Sequence, residues 1–490
     1  MDITSFYFLC FYAVVLILYY LVPGRLQWLV LVTASAVYYL LSGNSVLIIY
    51  PLVAVTLTWG LLQVLKKLPQ EAVRRRRAVM LTELAVLLGI LIALKYTKFI
   101  SGGNLVAPLG LSFYTFILVG YFLDCYNGIA QIQTNFLKVA LYGMYFPLMI
   151  SGPIVQLRDD GAQFFEKHPL SYKNLTAGMQ RMLWGFFKEL VISQRLGLVV
   201  DTIYSDDTNF QGPYIWLGTV CFAFQLYTNF SGCMDIVLGI SETFGLHLPE
   251  NFDVPFLARN ISEYWRRWHI TLGVWMREHV FYPLLRSQFF MKQGKRFRKR
   301  FGKKLGKQLN TWLAMLILWT AVGLWHGGDL KYVIGSGVLH WFYIVFGEAT
   351  LPFWVFLFGK KMHINMEGRF ANAVRVIRTF FLVNIGFVFF RADSSFQALR
   401  MLREGFHFGG SGIISQGGIF DLGLDWIQWG VTLVSLVILI SVSVTQYRGE
   451  LRAEAKGEEY SRHSIRDSIA GRKLPVRWLI YFILIFSTPF

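Results

Sequence analysis

Apolar runs alternate with short polar segments along this chain, and most of the runs are long enough to cross a lipid bilayer. Residues 6–22 form an uncharged apolar run, and 29–41 and 46–65 follow almost at once. An apolar helix of about 20 residues spans a hydrocarbon core of about 30 Å. The first run has no basic stretch before it and no small-residue cleavage site, so it is interpreted as a membrane helix rather than a signal peptide.

The same pattern continues to the end of the chain. Further apolar runs lie near 79–96, 109–124, 137–152, 175–198, 212–230, 310–326, 331–348, 373–390, 428–446 and 476–488. They predict an all-α, polytopic membrane helical bundle with roughly ten to thirteen membrane segments, some of them re-entrant. We expect a single membrane domain over 1–490, with N-terminal helices in 1–100, a core in 101–350 and C-terminal helices in 351–490.

Composition supports a membrane protein. The 490 residues are 55% hydrophobic, 17% aromatic and only 16% charged, which lies outside the range of soluble domains. The net charge of +18 could indicate nucleic acid, but the basic residues are concentrated in short segments between apolar runs. The positive-inside rule explains them, so we expect no nucleic acid, a multi-pass protein of the plasma membrane in contact with lipid, and an extracytoplasmic N-terminus.

Two longer polar stretches interrupt the apolar pattern. Residues 291–308 hold nine Lys or Arg and no acidic residue, which predicts a cytoplasmic loop facing anionic lipid. The same charge could attract an acidic acyl carrier protein or the phosphates of coenzyme A, and the sequence leaves these alternatives open. Residues 448–473 mix both signs and predict a solvated connector or a surface helix.

The segment 260–283 combines charged residues with many aromatic ones and is too polar for a conventional membrane helix. At helical spacing, Trp265 and His269 share one face, and Glu263 and Arg267 form an i,i+4 pair. We predict an interfacial segment at the cytoplasmic rim. Alternatively, its Arg and Trp residues serve only as membrane anchors.

His326 ends the apolar run 312–325, which begins just after the basic stretch. About 15 residues at 1.5 Å each would carry it some 20 Å from the cytoplasmic side, so we expect it deep in the protein. Gly323 and Gly327 flank it and permit a helix break or a close approach. A histidine there could act as a general base, although a purely structural, hydrogen-bonded histidine is the alternative. Neither histidine has HExxH spacing or an evident third ligand, so no metal is expected.

A polar patch containing Asn229, Ser231 and Asp235 interrupts another apolar run. Such residues could line a cavity or form hydrogen bonds with neighbouring helices.

Taken in order, several motifs resemble the membrane-bound O-acyltransferase superfamily over nearly the whole chain. The similarity is to its bacterial branch, which includes proteins of alginate O-acetylation and of D-alanyl transfer to teichoic acid. The motifs lie at 108–114, 151–153, 229–232, 250–252, 263–269, 323–327 and 389–393.

The resemblance implies helices around a central tunnel in which a cytoplasmic donor meets an acceptor from the far side. It also implies that His326 is the catalytic histidine and His269 the second conserved one. Residues expected at the tunnel or substrate are Trp325, Gly323, Gly327, Trp265, Trp268, Asn229, Ser231 and Asp235. Arg266 and Arg267 are expected on the donor side, where arginine suits phosphate.

The expected activity is O-acyl transfer of a short group, in the first place acetyl. The co-substrate would be acetyl-CoA or an acyl carrier protein, with no bound cofactor. The acceptor would be an extracytoplasmic polysaccharide, or a partner acyltransferase that relays the group. D-alanyl transfer from a carrier protein to teichoic acid is the alternative within the family, and a transporter or flippase is the alternative of another class.

Overall fold

Helices make up nearly all the regular structure of the computed structural model, which describes residues 1–42, 45–96, 106–206, 209–407, 417–458, 460 and 464–487. Within those ranges, the only extended pairing is an isolated bridge between Phe252 and Trp268. The prediction of an all-α protein is therefore confirmed.

The helices of the first half follow the apolar runs of the sequence. They are α1 (Phe6–Leu21), α2 (Gln27–Leu41), α3 (Ile49–Lys67), α4 (Val73–Lys95), α5 (Leu111–Tyr126), α6 (Phe136–Met144), α7 (Phe146–Ser151), α8 (Tyr172–Phe186), α9 (Gln194–Ser205) and α10 (Pro213–Thr243).

The second half has several shorter helices before the long apolar ones. They are α11 (Ile261–Arg267), α12 (Ile270–Met276), α13 (Tyr282–Arg286), α14 (Gln288–Phe301), α15 (Lys303–Gly327), α16 (Leu339–Trp354), α17 (Arg369–Arg391), α18 (Ser395–Glu404), α19 (Trp426–Lys456), α20 (Ser464–Ala470) and α21 (Leu474–Ser487). Residue 350, where the sequence suggested a boundary, falls inside α16, and residue 100 lies outside the described residues.

Seven helical segments of the described chain are long and apolar enough to cross a membrane. They are Gly24–Leu41, Ser45–Lys67, Val73–Lys95, Lys303–Gly327, Leu330–Lys361, Arg369–Arg391 and Trp426–Lys456. Three shorter apolar helices accompany them, namely Phe6–Leu21, Leu111–Tyr126 and Leu474–Ile485. These helices confirm the polytopic membrane class.

The chain forms two compact units. The first comprises Met1–Phe187, Phe230–Glu250 and Ile480–Phe490, and the second comprises Lys188–Asn229 and Asn251–Leu479. Both histidines singled out in the sequence belong to the second unit.

Glycines bring α8 and the end of α10 into close contact within the first unit. A Cβ at Gly185 would lie 2.6 Å from the carbonyl oxygen of Gly232, and one at Gly239 would lie 2.6 Å from that of Gly178. Such small-residue contacts let helix backbones approach where larger side chains would separate them.

The predicted membrane segments 137–152 and 175–198 are not continuous α-helices. The run 137–152 divides into α6 and α7 at Tyr145, and Pro147 occupies the first turn of α7, where its missing N–H is tolerated. The run 175–198 passes from α8 through a π-helical turn at Phe187–Ser193 into α9.

The basic stretch 291–308 is helical rather than a loop. It covers most of α14 and the start of α15, which meet at Gly302 with φ of 82°. A Cβ at Gly306 would lie 2.5 Å from the amide nitrogen of Arg298, so the two helices pack tightly. Lys and Arg are good helix formers, and the helical geometry keeps their charges at the surface while Phe290 is buried. We call this element the basic hairpin.

The polar stretch 448–473 is also partly helical. Helix α19 continues through it to Lys456 and ends at Gly457, whose φ is 68°, and α20 occupies another part. Residues 459 and 461–463 of this stretch lie outside the described residues, as does residue 488 of the predicted segment 476–488.

Candidate active site

His269 stands at a sharp backbone turn between α11 and α12. Its φ of 48° and ψ of 52° are left-handed, which is uncommon for residues other than glycine. The neighbouring strand-like segment holds this turn, because Phe252 pairs with Trp268 and the amide of Ile270 donates to the carbonyl of Asn251 at 3.0 Å. Backbone strain held by surrounding structure is frequent at functional sites.

The side chain of Asn251 fixes the tautomer of His269. The Oδ1 atom of Asn251 accepts hydrogen bonds from the amide of Thr271 at 3.1 Å and from its hydroxyl at 3.0 Å, and Nδ1 of His269 lies 3.2 Å away. A backbone amide only donates, so the Asn251 atom is an acceptor and Nδ1 of His269 must donate to it. The Nε2 atom therefore carries the lone pair.

Burial keeps the His269 ring neutral. The residue is only 3% exposed, and desolvation lowers its pKa to about 3. Burial disfavours the charged imidazolium. At physiological pH, His269 thus presents a neutral ring with a hydrogen-bond-accepting Nε2.

His326 lies in the last turn of α15 and is half-buried among aromatic rings. The ring centroids of Phe390 and Tyr332 lie 5.2 and 6.4 Å from that of His326. Helix α15 ends because Gly328 takes a left-handed φ of 76°.

The glycines beside His326 permit the close approach that the sequence indicated. A Cβ at Gly327 would lie 2.5 Å from the ring of Tyr332, and one at Gly323 would lie 2.7 Å from the Cα of Val333. Any side chain at either position would push away the segment that follows α15.

The indole ring of Trp325 contacts the rings of both His269 and His326. Its ring centroid lies 5.6 Å from that of His269 and 4.8 Å from that of His326. The sequence predicted His269 at the cytoplasmic rim and His326 deep inside; both imidazoles contact the same indole, and their depths in the membrane stay a prediction. The two residues come together because α15, which follows the basic hairpin, brings Trp325 and His326 next to the α11–α12 turn.

Trp265 and Trp268 extend the aromatic surroundings. Trp265 lies 4.8 Å from Trp319 between ring centroids, and Trp268 stacks on Tyr264 at 5.6 Å and lies 5.8 Å from Phe387. Trp268 is buried, so it packs in the core of the second unit, whereas Trp265 is half-buried. Their predicted contact with substrate stays a prediction.

Carboxylates surround Arg267. Its guanidinium contacts Glu263 at 3.2 Å, Glu450 at 2.9 and 3.1 Å, and Asp253 at 3.5 Å. Burial alone would lower its pKa, but Glu450 and the other carboxylates raise it overall. The predicted pair with Glu263 is confirmed, and the contacts of Arg267 are those of a structural ion cluster. Arg266 is exposed, and the predicted place of both arginines on the donor side stays a prediction.

The residues of the polar patch are divided between the two units. Asn229 belongs to the second unit and donates to Glu189 at 2.9 Å. Ser231, which is buried, and Asp235 belong to the first, where Asp235 accepts from Arg181 at 3.0 Å. Their predicted role at the substrate stays untested.

His340, which is buried in the second unit as His269 is, was not among the residues predicted from the sequence. Its ring centroid lies 5.0 Å from Trp265 and 6.0 Å from Trp319. The signal was present, because an ionisable side chain inside the apolar run 331–348 is costly and calls for a function. Among the described residues, no group of three or more His, Cys, Asp or Glu side chains could hold a metal ion.

Comparisons with known proteins agree on one family. A model of the membrane-bound O-acyltransferase family matches residues 130–298. The probable alginate O-acetylase AlgI of Pseudomonas fluorescens is 30% identical over 415 residues, which cover 83% of this chain and 75% of that protein. The peptidoglycan O-acetyltransferase of Helicobacter pylori is 29% identical over 61% of this chain and 57% of its own. The teichoic acid D-alanyltransferase of Bacillus subtilis is 25% identical over 59% of this chain and 69% of that protein.

Proposed function

This chain belongs to the membrane-bound O-acyltransferase family, and we propose that it transfers an acetyl group from a cytoplasmic thioester to a hydroxyl group outside the membrane. The acceptor is a polysaccharide, or a partner acyltransferase that relays the group to one. Relatives named as a probable alginate O-acetylase and a peptidoglycan O-acetyltransferase support this acceptor class. The observation that carries the chemistry is the contact of His269 and His326 with one indole, that of Trp325.

In the proposed reaction, His326 is the general base. Its imidazole takes the proton of the acceptor hydroxyl while the oxygen attacks the acyl carbonyl carbon. The carbon–sulfur bond then breaks, the acyl oxygen ester forms, and the departing thiolate receives the proton from His326. His269, with its neutral ring and the lone pair on Nε2, accepts a hydrogen bond from another donor group of the acceptor and so orients it, while the reacting hydroxyl gives its only proton to His326.

The donor in this proposal is acetyl-CoA or an acetylated acyl carrier protein. The basic hairpin and the exposed Arg266 supply positive charge for its phosphates or for an acidic carrier. The positive-inside rule puts the basic hairpin on the cytoplasmic side of the plasma membrane and the N-terminus outside.

A second candidate is D-alanyl transfer to teichoic acid. It is favoured by the similarity to teichoic acid D-alanyltransferases, which is lower and covers less of this chain. Mass spectrometry of the cell-surface polymer distinguishes the two, because an acetyl ester and a D-alanyl ester differ in mass. A transporter, the alternative of another class, has no relative among the proteins compared above.

The test is His326→Ala, assayed by transfer of labelled acetyl groups from the donor to the surface polymer in membranes. Loss of a general base is expected to lower transfer by about a hundredfold or more. The matched control is His247→Ala, an exposed histidine of the first unit, which should keep wild-type transfer. Full transfer by His326→Ala, at equal protein in the membrane, would refute the mechanism.

A further inference from the structure

Several polar side-chain atoms of the second unit are buried without a hydrogen-bond partner in the part of the chain that the structure describes, and four of them belong to His340 and residues near it. They are Oη of Tyr264, Nε1 of Trp265, Oγ of Ser336 and Nδ1 of His340. Tyr264 is 1% exposed, Ser336 5% and His340 3%. A folded protein pairs most of its buried polar groups, because an unpaired one keeps its full desolvation cost. Four such atoms on neighbouring residues therefore require an explanation.

These residues surround His340. Its ring meets that of Trp265 edge-on with centroids 5.0 Å apart, and lies parallel to that of Tyr264 at 6.5 Å. Ser336 precedes His340 by about one turn, inside a π-helical turn at Val333–Val338, and such turns are frequent at functional sites. A Cβ at Gly386 would lie 3.0 Å from Nε2 of His340, so α17 also approaches the ring closely.

The chemistry of the four atoms restricts what they can bind. The indole N–H of Trp265 can only donate, so its partner must be an acceptor. The hydroxyls of Tyr264 and Ser336 and the ring nitrogen of His340 can adapt to either role. None of the four residues carries a carboxylate or a fixed positive charge. An uncharged group with carbonyl oxygens, such as an amide or an acyl thioester, fits this set.

The position of Trp319 along α15 indicates which substrate carries the uncharged carbonyl group. Trp319, whose ring lies 6.0 Å from His340, precedes His326 by about two helical turns, or about 10 Å. The residues of α15 before Trp319 lead back to the basic hairpin. We call Tyr264, Trp265, Ser336 and His340 the His340 cluster. It lies beside the part of α15 between the basic hairpin and the proposed general base, His326.

We propose that Tyr264, Trp265, Ser336 and His340 form a binding site for the uncharged carbonyl and amide groups of the acyl thioester donor. This inference rests on the proposed function, because it needs a donor that enters from the side of the basic hairpin. The flat faces of Trp265 and Trp319 cover the planar groups of the donor, and the four polar atoms bind its oxygens. These are positioning residues, separate from the histidines that contact Trp325.

Tyr264→Phe and Ser336→Ala test the site, since each removes one unpaired polar atom and little else. Removing an unpaired buried atom should leave the unfolding temperature unchanged or raise it. Removing a hydrogen bond to the donor should raise the KM for the donor about three- to tenfold in each variant, with kcat affected less. The probes are acetyl-CoA and an acetylated acyl carrier protein, titrated against purified full-length protein in proteoliposomes.

Tyr38→Phe is the matched control, because the Tyr38 hydroxyl is also buried but donates to the carbonyl of Met1 at 3.0 Å. It should lower the unfolding temperature and leave the donor KM unchanged. An unchanged donor KM in both Tyr264→Phe and Ser336→Ala would overturn the proposed site, as would a lower unfolding temperature in both. If the wild type transfers acetyl from neither probe, the proposed function itself fails, and this inference fails with it.

Discussion

His269→Asn should remove a specific pH dependence of stability while preserving the fold around it. Asparagine tolerates the left-handed conformation that residue 269 adopts, with φ of 48°. Its side-chain amide can still donate to Oδ1 of Asn251, as Nδ1 of His269 does. Asparagine has no proton to gain between pH 3 and 7, so the variant isolates the titration of the imidazole.

The size of the stability loss at low pH follows from the lowered pKa of His269. Burial lowers that pKa from 6.5 to about 3, so below pH 6.5 the unfolded chain binds a proton that the folded protein does not. Stability is therefore lost as the pH falls from 6.5 towards 3, at up to about 1.4 kcal/mol per pH unit. At pH 5 this loss amounts to about 2 kcal/mol, and above pH 6.5 it vanishes.

The measurement compares the free energy of unfolding of detergent-solubilised wild type and His269→Asn at pH 7 and pH 5. The wild type should lose about 2 kcal/mol more than the variant between these values. His247→Asn is the control, because His247 is exposed, and it should behave as the wild type does. Equal losses in wild type and His269→Asn would show that the His269 ring is not held neutral, and the reasoning about its Nε2 atom would be refuted.

Three further predictions concern other parts of the molecule. Arg181→Met should lower the free energy of unfolding by about 1–3 kcal/mol, because it leaves the half-buried carboxylates of Asp235 and Glu250 without their cation. Gly185→Ala should cost about 1–3 kcal/mol in thermal unfolding, since its Cβ would meet the α10 backbone, whereas Gly430→Ala, which meets nothing within 4 Å, should cost nothing. Replacing Lys and Arg of the basic hairpin by Gln should raise the donor KM at low salt and remove its salt dependence, and an unchanged KM would assign these charges to topology alone.

The membrane class and the local pairing of Glu263 with Arg267 could be predicted because they depend on residues close in sequence. Long apolar runs fix the helices through the cost of exposing backbone groups to lipid. The i,i+4 spacing fixes the pair, whose nitrogen and oxygen lie 3.2 Å apart. Sequence reasoning failed where the outcome depended on contacts between distant segments.

His269 illustrates this limit. Its conformation and its tautomer both depend on Asn251, whose Oδ1 lies 3.2 Å from the ring although 18 positions separate the two residues. No periodicity in the sequence indicates that pairing, and a chain of L-residues avoids left-handed backbone unless tertiary contacts hold it. The helical nature of the basic stretch was missed for a related reason, because the tight approach at Gly306 becomes visible only when two helices meet.

Helix α15 connects the basic hairpin at its start with the proposed general base, His326, in its last turn. Trp319, Gly323 and His326 are spaced i, i+4 and i+7, so they share one face of the helix. Trp319 borders the His340 cluster, and His326 borders Trp325 and Phe390. Gly323 lies between them without a side chain, which lets the backbone at Val333 lie directly against the helix. Because a rigid helix spaces these residues, a donor held at His340 would have its reactive end about 10 Å further along the same face, where His326 is found.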